Sequence, residues 1–197
     1  FFISSPQLIP SMELSRHSHR LSLPTNDGYM AYVGYAVGLQ NLSTVFMPDM
    51  FGNPSQNAHP YFGQSKGGSF FNYAECAMYV GIVTVMLAIL SIYSKRNQTA
   101  VKAFSCLAGI SLLIALGTSL DKMLYFYVPG FSQTGSPGRS LVLWAISLSV
   151  LGAIGCDSLA LDKAKHKDVL KTLGITLISA LMTSGLVLAN LTQESKG

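Results

Sequence analysis

Six charged residues stand apart from the small lysine and arginine groups of this chain: Glu13, Asp49, Glu75, Asp121, Lys122 and Arg139. Arg139 is the most informative, because it opens a long uncharged run. A cation at a helix start opposes the macrodipole and needs compensation. That compensation is either a lipid phosphate reached by snorkelling or the phosphate of a specific ligand bound bidentately. Glu75, in NYAECAMYVG, starts a helix and is favoured there by the dipole; alternatively it is a carboxylate facing a cavity. Asp121 and Lys122 read as adjacent surface charges, and Asp49 in MPDMFG as a turn residue. His17 and His19 are two apart and share no helix face, so they suggest no metal site. Cys76, Cys106 and Cys156 are scattered through apolar helices without CxxC spacing and read as buried, inert thiols. Asn41-Leu42-Ser43 and Asn190-Leu191-Thr192 match the glycosylation acceptor pattern. No glycine-rich phosphate loop, Ser/His/Asp set or ligand cluster calls for a cofactor or metal.

These residues must be positioned by apolar helices. Of 197 residues 49% are hydrophobic and 11% charged, against about 25% charged in a soluble domain, and this points to a membrane protein. Mean hydropathy is only +0.39, so much of the chain lies outside lipid. The net charge of +4 is spread in small groups, with no basic run suited to nucleic acid. From Ser140 to Cys156 no residue is charged; at about 1.5 Å per residue this run covers roughly 26 Å, and with Leu159 and Leu161 it reaches across a bilayer core.

The pattern predicts an all-α polytopic bundle in a single membrane domain over 1–197, with transmembrane helices at 77–94, 101–118, 139–161 and 169–191 and a truncated helix end at 1–13. Because the chain opens with Phe1 inside an apolar stretch, it is expected to be an internal fragment. Residues 14–76 form a long irregular loop. Within it, residues 29–39 are too short to span and are expected as a surface helix or re-entrant piece, with Tyr29, Tyr32 and Tyr35 near the headgroups. Residues 119–138 are rich in aromatics, Gly and Pro and are expected as an amphipathic loop on one membrane face. Lys95 and Arg96 in one short turn, and Lys163, Lys165 and Lys167 in another, place both turns in the cytoplasm by the positive-inside rule. The stretches 14–76 and 119–138 are then extracytoplasmic. Small residues four apart, such as Ser111 with Ala115 and Ser149 with Ala153, allow close helix approach.

Three stretches carry a family resemblance. SSPQLIPSMELS resembles a helix exit of the form Q-L-hydrophobic-P-x-x-E. NLSTVFMPDMFGNP followed by FNYAECAMYVGIVTVMLAIL is similar to a Pro and Phe-Gly loop leading into N-x-x-E-x-x-x-Y-V-G. LIALGTSLDKMLYFYVPGFSQTGSPGRSLVL resembles an L-G-x-x-x-P-G-F-x-x-x-R-x-P-x-R element. Together, in this order, they resemble the YfhO-like bacterial membrane proteins. The family often has a further Arg before the Ser-Pro, and Gln133–Ser136 holds none. The resemblance implies a GT-C-like polytopic glycosyltransferase of the bacterial cell membrane, using a polyprenyl-phosphate sugar on the extracytoplasmic face for cell-envelope glycosylation. It implies a catalytic Asp upstream of Phe1, Arg139 at the lipid phosphate, and Glu13 and Glu75 towards the sugar. A transporter or flippase of lipid-linked sugars, and a non-enzymatic membrane scaffold, are the rival readings.

Overall fold

The computed structural model describes residues 24–55, 73–160 and 166–194, together with Pro6, Pro10, Glu13 and Gly63; side chains of the last helix are described to residue 185. The truncated helix end expected at 1–13 and the basic turn at 161–165 therefore lie almost wholly outside the described residues. What is described is all-helical, with no strand.

Among the described residues, seven α-helices with described bounds follow one another. The first, α1, is Asn26–Gly34, started by Thr25, whose hydroxyl accepts the Gly28 amide at 3.1 Å. After a 3-10 helix, Leu39–Val45, come the four-residue α2, Tyr73–Cys76, and α3, Ile82–Ser94. The turn at Lys95–Gln98 leads into α4, Thr99–Ala115, and then α5, Ser119–Tyr127. Two short 3-10 turns, Phe131–Gln133 and Pro137–Ser140, precede α6, Leu141–Ala160, and α7 is His166–Glu194.

Two expected spans are shortened by glycine. Gly81 has φ +90°, a conformation that strongly disfavours other residues, so residues 77–80 stay irregular and α3 begins at Ile82 rather than 77. Its 13 residues make a rod of about 20 Å, short of a hydrocarbon core of about 30 Å. Gly117, with φ +59°, ends α4, and α5 leaves at 85° to it. Among the described residues, Pro137–Ala160 is the one helix long and apolar enough to cross a membrane; Thr99–Ala115 with Ser119–Tyr127 is a second if the bent pair counts as one broken span.

α6 lies at the centre, with α3 and α4 packed on it. Thr84 stands against Gly152, and Leu87 against Gly155. Further along, the Ser94 hydroxyl donates to Ser158 at 3.2 Å, and Lys95 pairs with Asp157. Both chains advance together, so α3 and α6 run parallel and α4 returns between their ends. The closest contact is made by glycines three apart, Gly152 and Gly155, not by the four-apart pairs of the sequence expectation. Ser111 and Ala115 are buried as that expectation has it, but Ser149 and Ala153 face outward.

The core holds Val37, Val45, Met78, Val85, Ala115, Leu141 and Trp144. Residues 29–47 thus fold back onto the helices as a nine-residue helix and a 3-10 helix, not as one continuous rod, and the Val37 amide donates to Ala115 O at 2.9 Å. Tyr29 and Tyr32 are buried among other side chains at 7% and 6% exposure, while Tyr35 is exposed. Around the outside, Val83, Leu113, Val142, Ile146, Leu177, Ile178 and Leu181 are exposed. Only 33% of the apolar window in Pro137–Ala160 is buried, whereas the core helix of a soluble domain would be mostly covered. Cys106 and Cys156 are exposed on this surface, contrary to expectation, and only Cys76 is buried.

A Cβ on Gly155 would overlap the backbone of Leu87, while one on Gly174 would meet nothing within 4 Å. Gly155→Ala is expected to destabilise the protein by about 1–3 kcal/mol through forced separation of α3 from α6. Gly174→Ala should be neutral or stabilising by up to about 1 kcal/mol. Unfolding of the two variants in detergent micelles checks the contrast.

Candidate functional site

The two ends of the helix group differ in chemistry. At one, Lys95, its side chain 10% exposed, is paired with Asp157. At the other, Glu75 and Arg139 come together: Glu75 Oε1 is 3.4 Å from Arg139 Nε and 3.5 Å from Nη2. The compensation that a cation at the start of α6 requires is therefore supplied within the chain. Arg139 Nη1 also donates to Thr134 O at 2.9 Å.

Two glycines make this arrangement possible. Gly138 lies so close to the α2 backbone that a Cβ there would be 2.9 Å from Glu75 O. Gly135, at φ +86°, lets the loop turn across the guanidinium; a Cβ there would stand 3.4 Å from Nη1. The Ser136 hydroxyl accepts the Gly138 amide at 3.2 Å, and Pro137 starts the 3-10 turn that carries Arg139. The side chain of Arg139 remains 52% exposed and that of Glu75 23%. The guanidinium therefore keeps N–H groups free to face solvent or a ligand.

Behind this pair lies a buried polar group that sequence reasoning placed elsewhere. Asp121, expected at the surface, is 0% exposed. Tyr32 Oη donates to its Oδ1 at 3.3 Å, and its position in the first turn of α5 adds the favourable end of a helix dipole. The Thr134 hydroxyl is placed to donate to Phe131 O at 2.8 Å or to the Tyr32 oxygen at 3.4 Å. A continuous polar path thus runs from Asp121 through Tyr32 and Thr134 to Arg139 and Glu75. Burial first, and the Asp121 charge second, hold the Tyr29 phenol above its ordinary pKa of 10.0. Burial is also the main cause of a larger rise at Tyr32, to which Asp121 adds and which the approach of Thr134 partly offsets. Around them Tyr29, Tyr32, Tyr125, Phe126 and Phe131 make edge and tilted ring contacts with centroids 5.1–6.5 Å apart.

The remaining candidates separate from this group. Glu13 is exposed, and its neighbours lie outside the described residues. Asp49 accepts Asn53 Nδ2 at 3.0 Å, the turn role expected of it. Asn41, in the first glycosylation pattern, is 1% exposed and so closed to modification; its Nδ2 is 3.1 Å from Cys76 Sγ, and it lines a cavity of about 30 Å³. Its Oδ1 has no hydrogen-bond partner among the described residues, and the cavity is large enough for a water molecule. No group of three metal-ligating side chains occurs among the described residues. Comparison with protein-family models, curated proteins and solved structures finds no match.

Tyr32→Phe removes a donor from a buried carboxylate, an expected loss of about 1–3 kcal/mol at neutral pH. Because the folded state holds the phenol's proton more tightly than the unfolded state, the stability that this linkage contributes is complete below pH 10.0 and is lost as pH rises above it. Wild type and Tyr32→Phe should therefore converge in stability above that pH, as measured by chemical unfolding across an alkaline series.

Proposed function

We propose that this chain is the multi-pass membrane part of a GT-C-like glycosyltransferase of the YfhO-like kind, and that its Glu75–Arg139 end holds the phosphate of a polyprenyl-phosphate sugar. The observation that carries the reading is Arg139 itself. It is half-exposed at the mouth of an apolar helix group, anchored on one side by Thr134 O and Glu75, with further donors open. A planar guanidinium pre-oriented in this way suits bidentate phosphate recognition, and the apolar flanks of α6 and α3 suit the hydrocarbon tail of a lipid-linked donor. Glu75 then positions the guanidinium, and Glu13 belongs towards the sugar. As the donor phosphate arrives, the long contacts to Glu75 weaken and the cation stabilises the charge on the leaving phosphate.

The membrane part of the proposal draws on the apolar belt and on charge segregation. Lys95 and Arg96 sit at the end opposite Arg139, which suits a cytoplasmic turn with residues 14–76 and 119–138 extracytoplasmic. α7 is 29 residues long, and no Asp, Glu, Lys or Arg occurs from Thr172 to Gln193, so it suits a further crossing. The ion pair also favours a second reading, a scaffold in which Glu75 and Arg139 are purely structural.

In the full-length protein, Arg139→Ala should weaken donor binding roughly ten-fold or more, with Arg139→Lys intermediate because a point charge loses the bidentate fork. Donor binding and transfer unchanged in Arg139→Ala would refute the proposal; a loss of thermal stability alone would assign the pair to the scaffold.

A further inference from the structure

At the same end, α5 forms one wall of an open groove of about 550 Å³ lined by Pro24, Ser119, Lys122, Met123, Phe126 and Tyr127. We infer that α5 lies in the membrane interface and that this groove seats the headgroup of an anionic phospholipid, with Lys122 as its phosphate contact. The inference rests on the membrane part of the proposed function and is independent of the transferase part.

Four observations carry it. First, α5 departs from α4 at 85°. With α4 along the membrane normal, α5 lies in the plane of the bilayer surface, where amphipathic helices bury one face among headgroups and upper acyl chains. Second, its two faces are distinct. Asp121 and Tyr125, four apart, point inward at 0% and 3% exposure; Met123 at 56%, Tyr127 at 81% and Val128 at 42% point outward. A tyrosine beside aliphatic side chains at such exposure is the composition of an interfacial belt.

Third, Lys122 is a cation that no described carboxylate pairs with. Its neighbour Asp121 is turned inward to Tyr32, and among the described residues Lys122 enters no ion pair. Fourth, the ammonium is held in place, 5.7 Å from the centroid of the Tyr29 ring. That contact orients a long side chain at the groove wall and lowers the entropy lost when it grips an anion. A phosphodiester headgroup meets the cation, and its acyl chains meet Met123, Phe126 and Tyr127. A free phosphate would satisfy only Lys122 and leave the apolar wall uncovered.

The test is native mass spectrometry of the purified full chain released from detergent with equal amounts of dioleoyl phosphatidylglycerol and dioleoyl phosphatidylcholine. The wild type should retain phosphatidylglycerol about five-fold over phosphatidylcholine, the preference that one interfacial lysine supports. Lys122→Gln should abolish the preference and Lys122→Arg should keep it. Lys122 is exposed, so the variants should fold; matched unfolding curves confirm that they do. Equal retention of the two lipids, or a preference that survives Lys122→Gln, would overturn the inference. So would displacement of phosphatidylglycerol by millimolar inorganic phosphate, which would assign the groove to a free anion. A chain that inserts into pure phosphatidylcholine vesicles yet shows no preference leaves the membrane reading standing and removes the headgroup site alone.

Discussion

The approach of the Leu87 backbone to Gly155 is the constraint on which the arrangement of this chain depends. Two helices can come this close only where one of them has no side chain, and Gly152 and Gly155 supply that strip on α6. Once α3 lies in it, the register of the two parallel helices is set. Ser94 then reaches Ser158 and Lys95 reaches Asp157 at one end. At the other end, the residues preceding α3 are carried to the start of α6, where Glu75 meets Arg139. A small-residue seam in mid-helix therefore determines which charges become neighbours at both ends.

The Arg139 end combines two kinds of polar contact with different energetic weight. The Glu75–Arg139 pair is half-exposed and long, and such pairs contribute about 0–1 kcal/mol; its value lies in orienting the guanidinium. The Tyr32–Asp121 contact is buried, where an unmet carboxylate would be costly. It therefore fixes α1 against α5, and the aromatic cluster closes around it. Thr134 touches both, so the rigid part lies beneath the accessible part. That division suits a binding end: a firm base, with an adjustable cation at the rim.

The outer surface of the helix group is largely apolar. Exposed Leu, Ile and Val side chains cover α6 and α7, while outward hydroxyls on these helices are turned to their own carbonyls, as Ser149 to Ala145 O at 2.9 Å and Ser184 to Ala180 O at 2.8 Å. Hydroxyls satisfied within their own helix leave an apolar exterior, as a lipid-facing helix needs. The bend at Gly117 then turns the chain through 85° into α5, where Lys122 and Tyr127 are exposed.

The sequence by itself determined that the described part of the chain is helical, where α4, α6 and α7 lie to within a few residues, and that Arg139 needs a compensating partner. Each follows from local physics: runs of uncharged residues, turn-forming glycines and the helix dipole. Only the tertiary structure decided that this partner is Glu75, 64 positions away, and that Asp121 is a buried anchor while the adjacent Lys122 is exposed. It also decided that glycines three apart, rather than small residues four apart, make the closest seam. The shortening of α3 hangs on the positive φ of Gly81, which a pattern of apolar residues does not reveal because glycine is equally at home inside a membrane helix. Burial of a charge and choice of an ion partner depend on which faces meet after packing, and a one-dimensional spacing carries no information about the face opposite.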